Sequence, residues 1–344
     1  MRVTIKDIAK KTGLSVSTVS LVLNHKKHRI SEETCRRVMQ AAEELHYRPN
    51  QMAVGLITKK TRTIGLIVPD VTNMFFAEIA KGAEAQCQKS GYSIILCNTN
   101  DNPEKDIDYI NVLMDRGVDG ILFTMAVNST TNKASECIKI FNQFEKPAIL
   151  VDRVLNVNNS DNGFPSVTVD NELGGYLATC HLLELGHRKI GCITGPMGAQ
   201  SSQQRLFGYI RALQEFNCPF DQTLIKEGDY HTSSGQILFK EFFKQGVTAV
   251  FAFNDMIAYG VYCQAKKIGL HIPQDLSIVG FDDLPFSEIL ETPLTSMKQP
   301  AYEIGECAVK KMIEKINNPQ LQTKNTVFKP ELIVRKSTSQ IIKK

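Results

Sequence analysis

The sequence predicts an α/β protein in two parts, a small all-α head at the N-terminus and a body of two doubly wound parallel-sheet lobes. Its 344 residues exceed the roughly 250–300 residues that one core usually supports. Residues 1–62 carry 13 Lys and Arg against 5 Asp and Glu, whereas residues 63–344 carry 27 against 31. From residue 63 onward, short apolar runs alternate with helix-length amphipathic segments. Head and body therefore differ in both charge and architecture.

The head begins with a short predicted helix. Thr4 and Asp7 have the spacing of a capping box, and Ile5 and Ile8 begin an apolar stripe that ends near Gly13. A second helix, 16–23, follows a cap candidate at Ser15 after a connection of only a few residues. Two helices joined by a tight glycine-containing turn are typical of a helix-turn-helix.

A third helix, 31–46, closes the head, with Ser31 as its cap and a proline at position 49 beyond its end. The second helix would then be the one that contacts DNA bases. Its exposed positions have short side chains suited to close approach, and they are Val16, Ser17, Thr18, Ser20 and Leu21. A basic head of this kind predicts double-stranded DNA as the partner, although a solvated basic terminus has the same charge pattern.

The body predicts a repeated set of strands and helices. Predicted strands at 64–68, 93–97, 120–123 and 148–151 alternate with helices at 75–90, 103–116 and 132–144. The run RKIGCI at 188–193 resembles RTIGLI at 62–67, which indicates that the set starts again. Further strands at 250–254, 278–281 and 332–335 and a helix at 300–316 complete two lobes. Ligands of such sheets bind at the carboxyl ends of the strands, so we expect a ligand cleft between the lobes.

Several classes of protein are excluded by what the chain lacks. No apolar run approaches the roughly 20 residues of a membrane span, and the N-terminus lacks a secretory signal, so we expect a cytoplasmic protein. The nine cysteines include no C-x-x-C pair and predict reduced core thiols. No nucleophile setting or phosphate-binding loop is recognisable, so we expect no enzyme, no metal and no cofactor.

Long motifs in both parts resemble the lactose/galactose repressor (LacI-type) family of bacterial transcription regulators. In the head these are TIKDIA at 4–9, SVSTVSLVLN at 15–24 and YRPN at 47–50. In the body they are VPD at 68–70, SVTVDN at 166–171, LGHRKI at 185–190 and GFDD at 280–283. The resemblance covers essentially the whole chain. It implies a helix-turn-helix domain at 1–48, a hinge at 49–62 and a periplasmic-binding-protein-like body at 63–344.

The resemblance also implies a homodimer whose two heads occupy neighbouring major grooves of a near-palindromic operator. Part of the hinge, 50–57, would fold as a helix on DNA and insert Leu56 between minor-groove base steps. The implied DNA contacts are Thr4, Ser15, Val16, Ser17, Thr18, Ser20, Leu21, Asn24, Asn50, Ala53 and Leu56. Leu21 stands where many members have an arginine that can pair with guanine, so the operator should differ from the common one.

The body resembles ribose repressors and ribose-binding periplasmic proteins at the positions expected to hold a ligand. The implied effector contacts are Asn73, Phe75, Phe76, Asp152, Arg153, Arg205, Tyr230, Asn254, Asp282 and Gln299. Carboxylates, guanidinium groups and amides around the edge of a sugar, with rings above and below it, match its hydroxyl groups and C–H faces. Lobe one is expected at about 63–163 and 294–324, and lobe two at about 164–293 and 325–338.

The sequence therefore predicts a repressor whose operator affinity is controlled by a small sugar, ribose being favoured. Two alternatives within the family stay open. One is a global carbon-catabolite regulator controlled by a phosphorylated partner protein, which would have less need of a complete sugar pocket. The other is a purine-responsive repressor, although a flat base has less use for so many charged and amide groups. The basic head and the missing signal argue against a transport binding protein.

Overall fold

The structure, a computed structural model, describes residues 3–23, 30–47, 60–127, 129–154 and 163–341. The chain divides into two compact units, one up to Thr61 and one from Arg62 onward. The break lies close to position 63, where the sequence predicts that the body begins. Each unit has a hydrophobic core of its own.

The head unit contains three helices, α1 Ile5–Thr12, α2 Val16–Leu23 and α3 Glu32–Glu44. Helix α1 begins with the predicted capping box, in which Asp7 Oδ2 accepts a hydrogen bond of 2.8 Å from the Thr4 amide. The three helices bury Ile8, Val19, Val22 and Val38 between them. Helix α3 ends two residues earlier than predicted. His46 has a φ of 49°, a left-handed conformation that does not continue an α-helix.

The body unit contains two six-stranded sheets with the same order of equivalent strands. The first is β11-β5-β4-β3-β1-β2 and the second is β12-β10-β9-β8-β6-β7. The strands are β1 Thr63–Val68, β2 Ser93–Asn98, β3 Gly120–Phe123, β4 Ala148–Val151, β5 Ser166–Val169, β6 Ile190–Thr194, β7 Ile225–Glu227, β8 Ala249–Ala252, β9 Ser277–Asp282, β10 Thr295–Lys298, β11 Thr326–Phe328 and β12 Glu331–Ile333. All pair in parallel except β12, which runs antiparallel to β10.

Helices cover both faces of each sheet, as the doubly wound prediction requires. They are α4 Met74–Lys89, α5 Pro103–Asp115, α6 Thr131–Gln143, α7 Asn171–Glu184, α8 Gln200–Glu215, α9 Thr232–Lys244, α10 Asp255–Lys267, α11 Phe286–Ile289 and α12 Ala301–Asn317. Helices α4 and α12 pack on the first sheet, and α7 and α8 pack on the second. The strand and helix set that the sequence shows to repeat therefore forms two lobes.

The predicted lobe boundaries are wrong in a consistent way. They fall at about 163, 293 and 324, before β5, β10 and β11. The structure places each of these strands in the lobe that precedes the crossing, so the chain changes lobe at Asp170, at 299–300 and at 329–330. A strand must complete its backbone hydrogen bonds within one sheet, and the chain can cross only after it ends. The crossings consequently lie at the carboxyl ends of β5 and β10.

No helix in the described parts of the chain is both long and apolar enough to cross a membrane. All nine cysteines are free, seven of them buried, whereas Cys263 is exposed. The prediction of unpaired thiols is confirmed, and the prediction that they belong to the core holds for most of them.

Candidate functional site

A cavity lies between the two lobes of the body, at the carboxyl ends of their strands. Measured to the surrounding atoms and out to solvent, its volume is about 300 Å³. Its lining consists of all ten residues predicted from the sequence and one more: Asn73, Phe75, Phe76, Asp152, Arg153, Ser201, Arg205, Tyr230, Asn254, Asp282 and Gln299. The structure thus brings the whole predicted set into one cavity.

The aromatic wall of the cavity comes from the start of α4. The Asn73 side chain caps this helix by accepting a hydrogen bond of 3.1 Å from the amide of Phe75. Phe75 and Phe76 follow in the first turn, both buried, with ring centroids 5.1 Å apart in an edge-to-face arrangement. The cap therefore fixes where the two rings lie at the end of β1, and together they form an apolar surface.

Asp152 and Arg153 follow β4 and supply the charged groups of lobe one. Asp152 is buried with a φ of 62°, and its Oδ1 has no hydrogen-bond partner among the described residues. Burial raises the pKa of its carboxyl, whereas Arg153 and Arg205 act to lower it. Arg153 Nη1 donates to Asp101 Oδ1 and to the Met125 carbonyl, each at 3.0 Å.

Arg205 is the second buried guanidinium group and belongs to lobe two. It lies in the second turn of α8. The sequence suggested instead that Arg205 begins a helix. Its Nε donates to Asn171 Oδ1 at 2.8 Å, its Nη1 donates to the Phe253 carbonyl, and its guanidinium carbon lies 3.6 Å from the centre of the Phe281 ring. These contacts hold the cation in one orientation.

Helix α8 can place Arg205 in the cavity because it packs closely against α7. A Cβ atom added at Gly175 of α7 would lie 2.1 Å from the Arg205 carbonyl oxygen. Only glycine permits this approach of the two backbones. A larger residue at position 175 would push α8, and with it Arg205, away from its present position.

Tyr230 and Asn254 line the cavity from the ends of other segments of lobe two. Tyr230 has a φ of 67°, and its hydroxyl group lies 2.6 Å from Ser202 Oγ. The Asn254 side chain caps α10 by accepting from the Ile257 amide at 2.9 Å, and its Nδ2 donates to the Tyr230 carbonyl at 3.0 Å. Asn254 therefore ties the tyrosine loop to the start of α10.

Asp282 and Gln299 complete the cavity, the first as the last residue of β9 and the second at a crossing between lobes. Gln299 Nε2 donates to Asp282 Oδ1 at 2.6 Å. Burial raises the pKa of Asp282 well above its ordinary value, and Arg205 opposes that shift. Gln299 Oε1 is buried and has no hydrogen-bond partner among the described residues.

Ser201 is the cavity residue that the sequence reasoning missed. It lies in the first turn of α8, four residues before Arg205, and is buried. Positions four apart share one face of a helix, so the spacing could have indicated it once Arg205 was chosen. Its hydroxyl group adds a donor and acceptor to the wall of lobe two.

In the head, α2 presents the side chains that the sequence assigns to DNA. Ser15 caps the helix, its Oγ accepting from the Thr18 amide at 3.0 Å. Val16 and Leu21 are 46% and 43% exposed. Ser17 is also exposed, whereas Thr18 and Ser20 are half-buried and Thr4 is exposed at the cap of α1. The predicted contacts Asn24, Asn50, Ala53 and Leu56 lie outside the described residues.

His187 lies just after the C-terminal end of α7, where its amide donates to the Leu182 carbonyl at 3.1 Å, and its side chain makes further contacts. It is buried, with Nδ1 2.9 Å from Thr248 Oγ1 and Nε2 3.0 Å from Ser277 Oγ. Its Nε2 also lies 3.1 Å from the Ser339 carbonyl oxygen, so it fastens the C-terminal segment to lobe two. As for metals, the described ranges contain no group of three or more His, Cys, Asp or Glu residues that could hold an ion.

Comparison with known proteins gives two matching family models. Residues 4–50 match the model of bacterial regulatory proteins of the lacI family. Residues 61–336 match the model of periplasmic binding proteins and the sugar-binding domain of the LacI family. A repressor from Aliivibrio salmonicida, named HTH-type transcriptional repressor PurR, is 36% identical over 98% of this chain and 99% of its own length.

Solved structures give the same result for the fold. The Lac repressor dimer bound to operator and the anti-inducer ONPF is 25% identical, with a TM-score of 0.87 over 98% of this chain and all of that chain. A LacI-family regulator from Enterococcus faecium with bound ribose is 32% identical, with a TM-score of 0.72 over 81% of this chain and all of that chain. The chain therefore belongs to the LacI family and is a DNA-binding transcription regulator with a two-lobed, periplasmic-binding-protein-like body.

Proposed function

We propose that this regulator is a repressor that binds its operator as a homodimer and that ribose, held between the two lobes of the body, controls its operator affinity. The sugar is the only small molecule that the proposal requires, and no catalytic step or cofactor is involved. As a DNA-binding regulator the protein would act in the cytoplasm.

The observation that carries the proposal is a pair of buried acceptors in the cavity. Asp152 Oδ1 and Gln299 Oε1 line it and have no hydrogen-bond partner among the described residues. A buried acceptor left unpaired costs about 1–3 kcal/mol. The hydroxyl groups of a sugar are donors, and a sugar with several of them can satisfy both acceptors at once.

The other lining groups suit the remaining surfaces of a sugar. Arg153 and Arg205 are donors for hydroxyl and ring oxygens, and Phe75 and Phe76 offer an apolar wall to C–H groups. The formal charges of the two arginines are balanced by those of Asp152 and Asp282. This lining offers both donors and acceptors to the hydroxyl groups of a sugar.

A solved relative with a bound sugar further supports ribose. The Enterococcus faecium regulator that is 32% identical to this chain was solved with bound ribose. Its body aligns with 81% of this chain, which supports the choice of ribose among small sugars.

A purine is the second candidate, and it is favoured by the names of similar repressors. The Aliivibrio salmonicida relative is named PurR at 36% identity. Two buried carboxylates and two guanidinium groups within one small cavity argue for a polyol, because a flat base presents fewer hydroxyl-type donors. We place control by a phosphorylated partner protein lower still, since such a regulator would not need this complete cavity.

Calorimetry on the full chain separates the ligands. We expect ribose to release heat on binding and a purine base to give none. Asp152→Asn should bind ribose about tenfold more weakly, because one acceptor becomes a donor. Asparagine tolerates the left-handed conformation at position 152, so the backbone is preserved. The matched control Asp115→Asn, an exposed residue of the same lobe, should bind as the wild type does. Heat with the purine base and none with ribose would reject the sugar.

A further inference from the structure

The last carboxylate of the cavity lies on an unusual stretch of backbone. Asp282 and the next residue, Asp283, have φ angles of 118° and 58°, both in the region that favours glycine. Such conformations are strained and persist only where the surroundings enforce them. The position of the Asp282 side chain therefore depends on whatever holds this turn.

A second buried acid, Asp255, holds the turn from below, outside the cavity lining. It is completely buried at the start of α10. Its Oδ2 accepts hydrogen bonds from the Leu284 amide at 2.8 Å and the Ser287 hydroxyl at 2.6 Å. Its Oδ1 accepts from the Ser296 hydroxyl at 2.5 Å. The three donors come from the turn itself, from α11 and from β10.

Ser296 carries this anchorage to the peptide next to the cavity carboxylate. Its Oγ, which donates to Asp255, also accepts a hydrogen bond of 3.1 Å from the Asp283 amide. That amide belongs to the peptide bond that directly follows Asp282. The chain of contacts from Asp255 through Ser296 to the amide of Asp283 therefore fixes the backbone from which the Asp282 side chain extends.

The strand that carries Asp282 is shaped to admit the Asp255 carboxylate. A Cβ atom added at Gly280 would lie 2.2 Å from Asp255 Oδ1. The absence of a side chain at position 280 lets the carboxylate approach β9 two residues before the cavity. Asp255 also directly follows Asn254, which lines the cavity from the start of the same helix.

We propose that Asp255 is a positioning residue of the effector site, which acts through Ser296 to hold the Asp282 carboxylate in the cavity. The inference rests on the proposed function for its ligand, though its structural part concerns Asp282 alone. Asp255 makes no contact with the effector. Loosening its link to Ser296 should weaken ligand binding by moving Asp282, whereas loosening its link to Ser287 should not.

Two serines provide a matched pair of variants. Ser296 and Ser287 are both completely buried, and each donates one hydroxyl hydrogen bond to the Asp255 carboxylate. Ser296→Ala and Ser287→Ala should lower the thermal unfolding temperature by similar amounts. In calorimetry with ribose, Ser296→Ala should lose about fivefold in affinity, the equivalent of one hydrogen bond, and Ser287→Ala less than about twofold. In a protein that already carries Asp282→Asn, adding Ser296→Ala should cause no further loss of ribose affinity.

A second readout needs no ligand. Carbon NMR of the Asp282 carboxyl, identified by its absence in Asp282→Asn, follows its titration in the full chain. Both serines donate to Asp255, whose charge raises the pKa of Asp282, so both variants can affect that titration. Because burial also raises the pKa of Asp282, a looser turn in Ser296→Ala should move the titration to lower pH by clearly more than Ser287→Ala does. If ribose gives no heat but the Asp282 titration shifts as described, the sugar assignment fails and the positioning role stands. Equal ribose affinities in the two variants, or equal titration shifts in both, would overturn the positioning role.

Discussion

The two lobes share one strand order yet hold their cavity arginines in different ways. In lobe two, Arg205 is fixed by the neutral amide of Asn171, a backbone carbonyl and the face of Phe281. In lobe one, Arg153 is fixed by the charged Asp101 and lies 5.3 Å from the centre of the Phe76 ring and 6.0 Å from that of Tyr230, a residue of lobe two. Arg205 is thus built into its own lobe, whereas Arg153 lies where the lobes meet.

The cavity aspartates of the two lobes also differ in how fully they are hydrogen-bonded. Asp282 already accepts a hydrogen bond from Gln299, whereas Asp152 retains an oxygen without a partner among the described residues. One further acceptor of the cavity, Gln299 Oε1, also lacks a partner among the described residues, and it lies where the chain crosses between the lobes. We expect a ligand that supplies donors to Asp152 and Gln299 to stabilise the arrangement in which both lobes surround it.

The largest expected effect is the loss of the preorganised arginine. Arg205→Ala should weaken ribose binding by roughly 2–4 kcal/mol, or about 30- to 1,000-fold, because it leaves buried polar partners unpaired. Calorimetry measures it. Arg211→Ala is the matched control, since Arg211 lies on the same helix, stacks 4.1 Å from the centre of the Tyr176 ring and pairs with Glu172 outside the cavity. Comparable losses in both variants would show that α8 itself, and not the guanidinium group of Arg205, is what matters.

Two buried acids outside the cavity lining, Asp106 and Asp255, give a smaller effect, which is a dependence of folding stability on pH. Asp106 of lobe one accepts one backbone hydrogen bond, from the Ala126 amide, and burial raises its pKa from 3.8 to about 7. Asp255 of lobe two accepts three hydrogen bonds, one from a backbone amide and two from serine hydroxyl groups, and burial raises its pKa only to about 6. The folded protein then keeps a proton that the unfolded chain has released, so stability falls as pH rises from about 4 towards these values.

Asp106→Asn should remove part of that slope, which amounts to at most about 1.4 kcal/mol per pH unit. Relative to wild type, the unfolding temperature of the variant should rise between pH 5 and pH 7.5. Thermal unfolding across this range, with Asp115→Asn as an exposed control, measures the difference. A difference between variant and wild type that is constant with pH would mean that Asp106 is not protonated in the folded protein.

The smallest effect concerns the anchor of Arg153. Asp101→Asn gives Arg153 the kind of neutral amide partner that Arg205 already has, and Asn tolerates the φ of 52° at position 101. Ribose affinity should fall by about threefold or less, because the amide oxygen can still accept from Arg153. Asp221→Asn, an exposed turn residue, serves as control in the same calorimetric titration. A loss as large as that of Arg205→Ala would show that Arg153 depends on the charge of Asp101 and not only on its hydrogen bond.

Much of the fold follows from local patterns in the sequence. Alternating apolar runs and amphipathic stretches located the strands and helices closely, and caps such as Thr4 and Ser31 fixed where helices begin. The strands β5, β10 and β11 were not predicted, and the segments that contain them were assigned to the wrong lobe. Which sheet a strand joins depends on contacts with residues far away in the sequence, and periodicity carries no information about them.

The same limit applies to the cavity. Its polar lining could be predicted because most of these side chains follow strands or begin helices, the positions at which parallel sheets bind their ligands. Ser201 was missed although it lies four residues before Arg205 on the same helix face, and the support from Asp255 could not be predicted because it acts through a turn held by Ser296.

The central claim is that ribose bound between the lobes changes the affinity of the head for DNA. It is tested most directly by measuring operator affinity with and without saturating ribose, on a duplex that the full-length protein selects from random sequence. We expect ribose to weaken operator binding at least about tenfold, a coupling of about 1.4 kcal/mol. Asp152→Asn should bind the operator as tightly as wild type but require more ribose for release. Unchanged operator affinity at a ribose concentration that saturates the wild-type body would contradict the account.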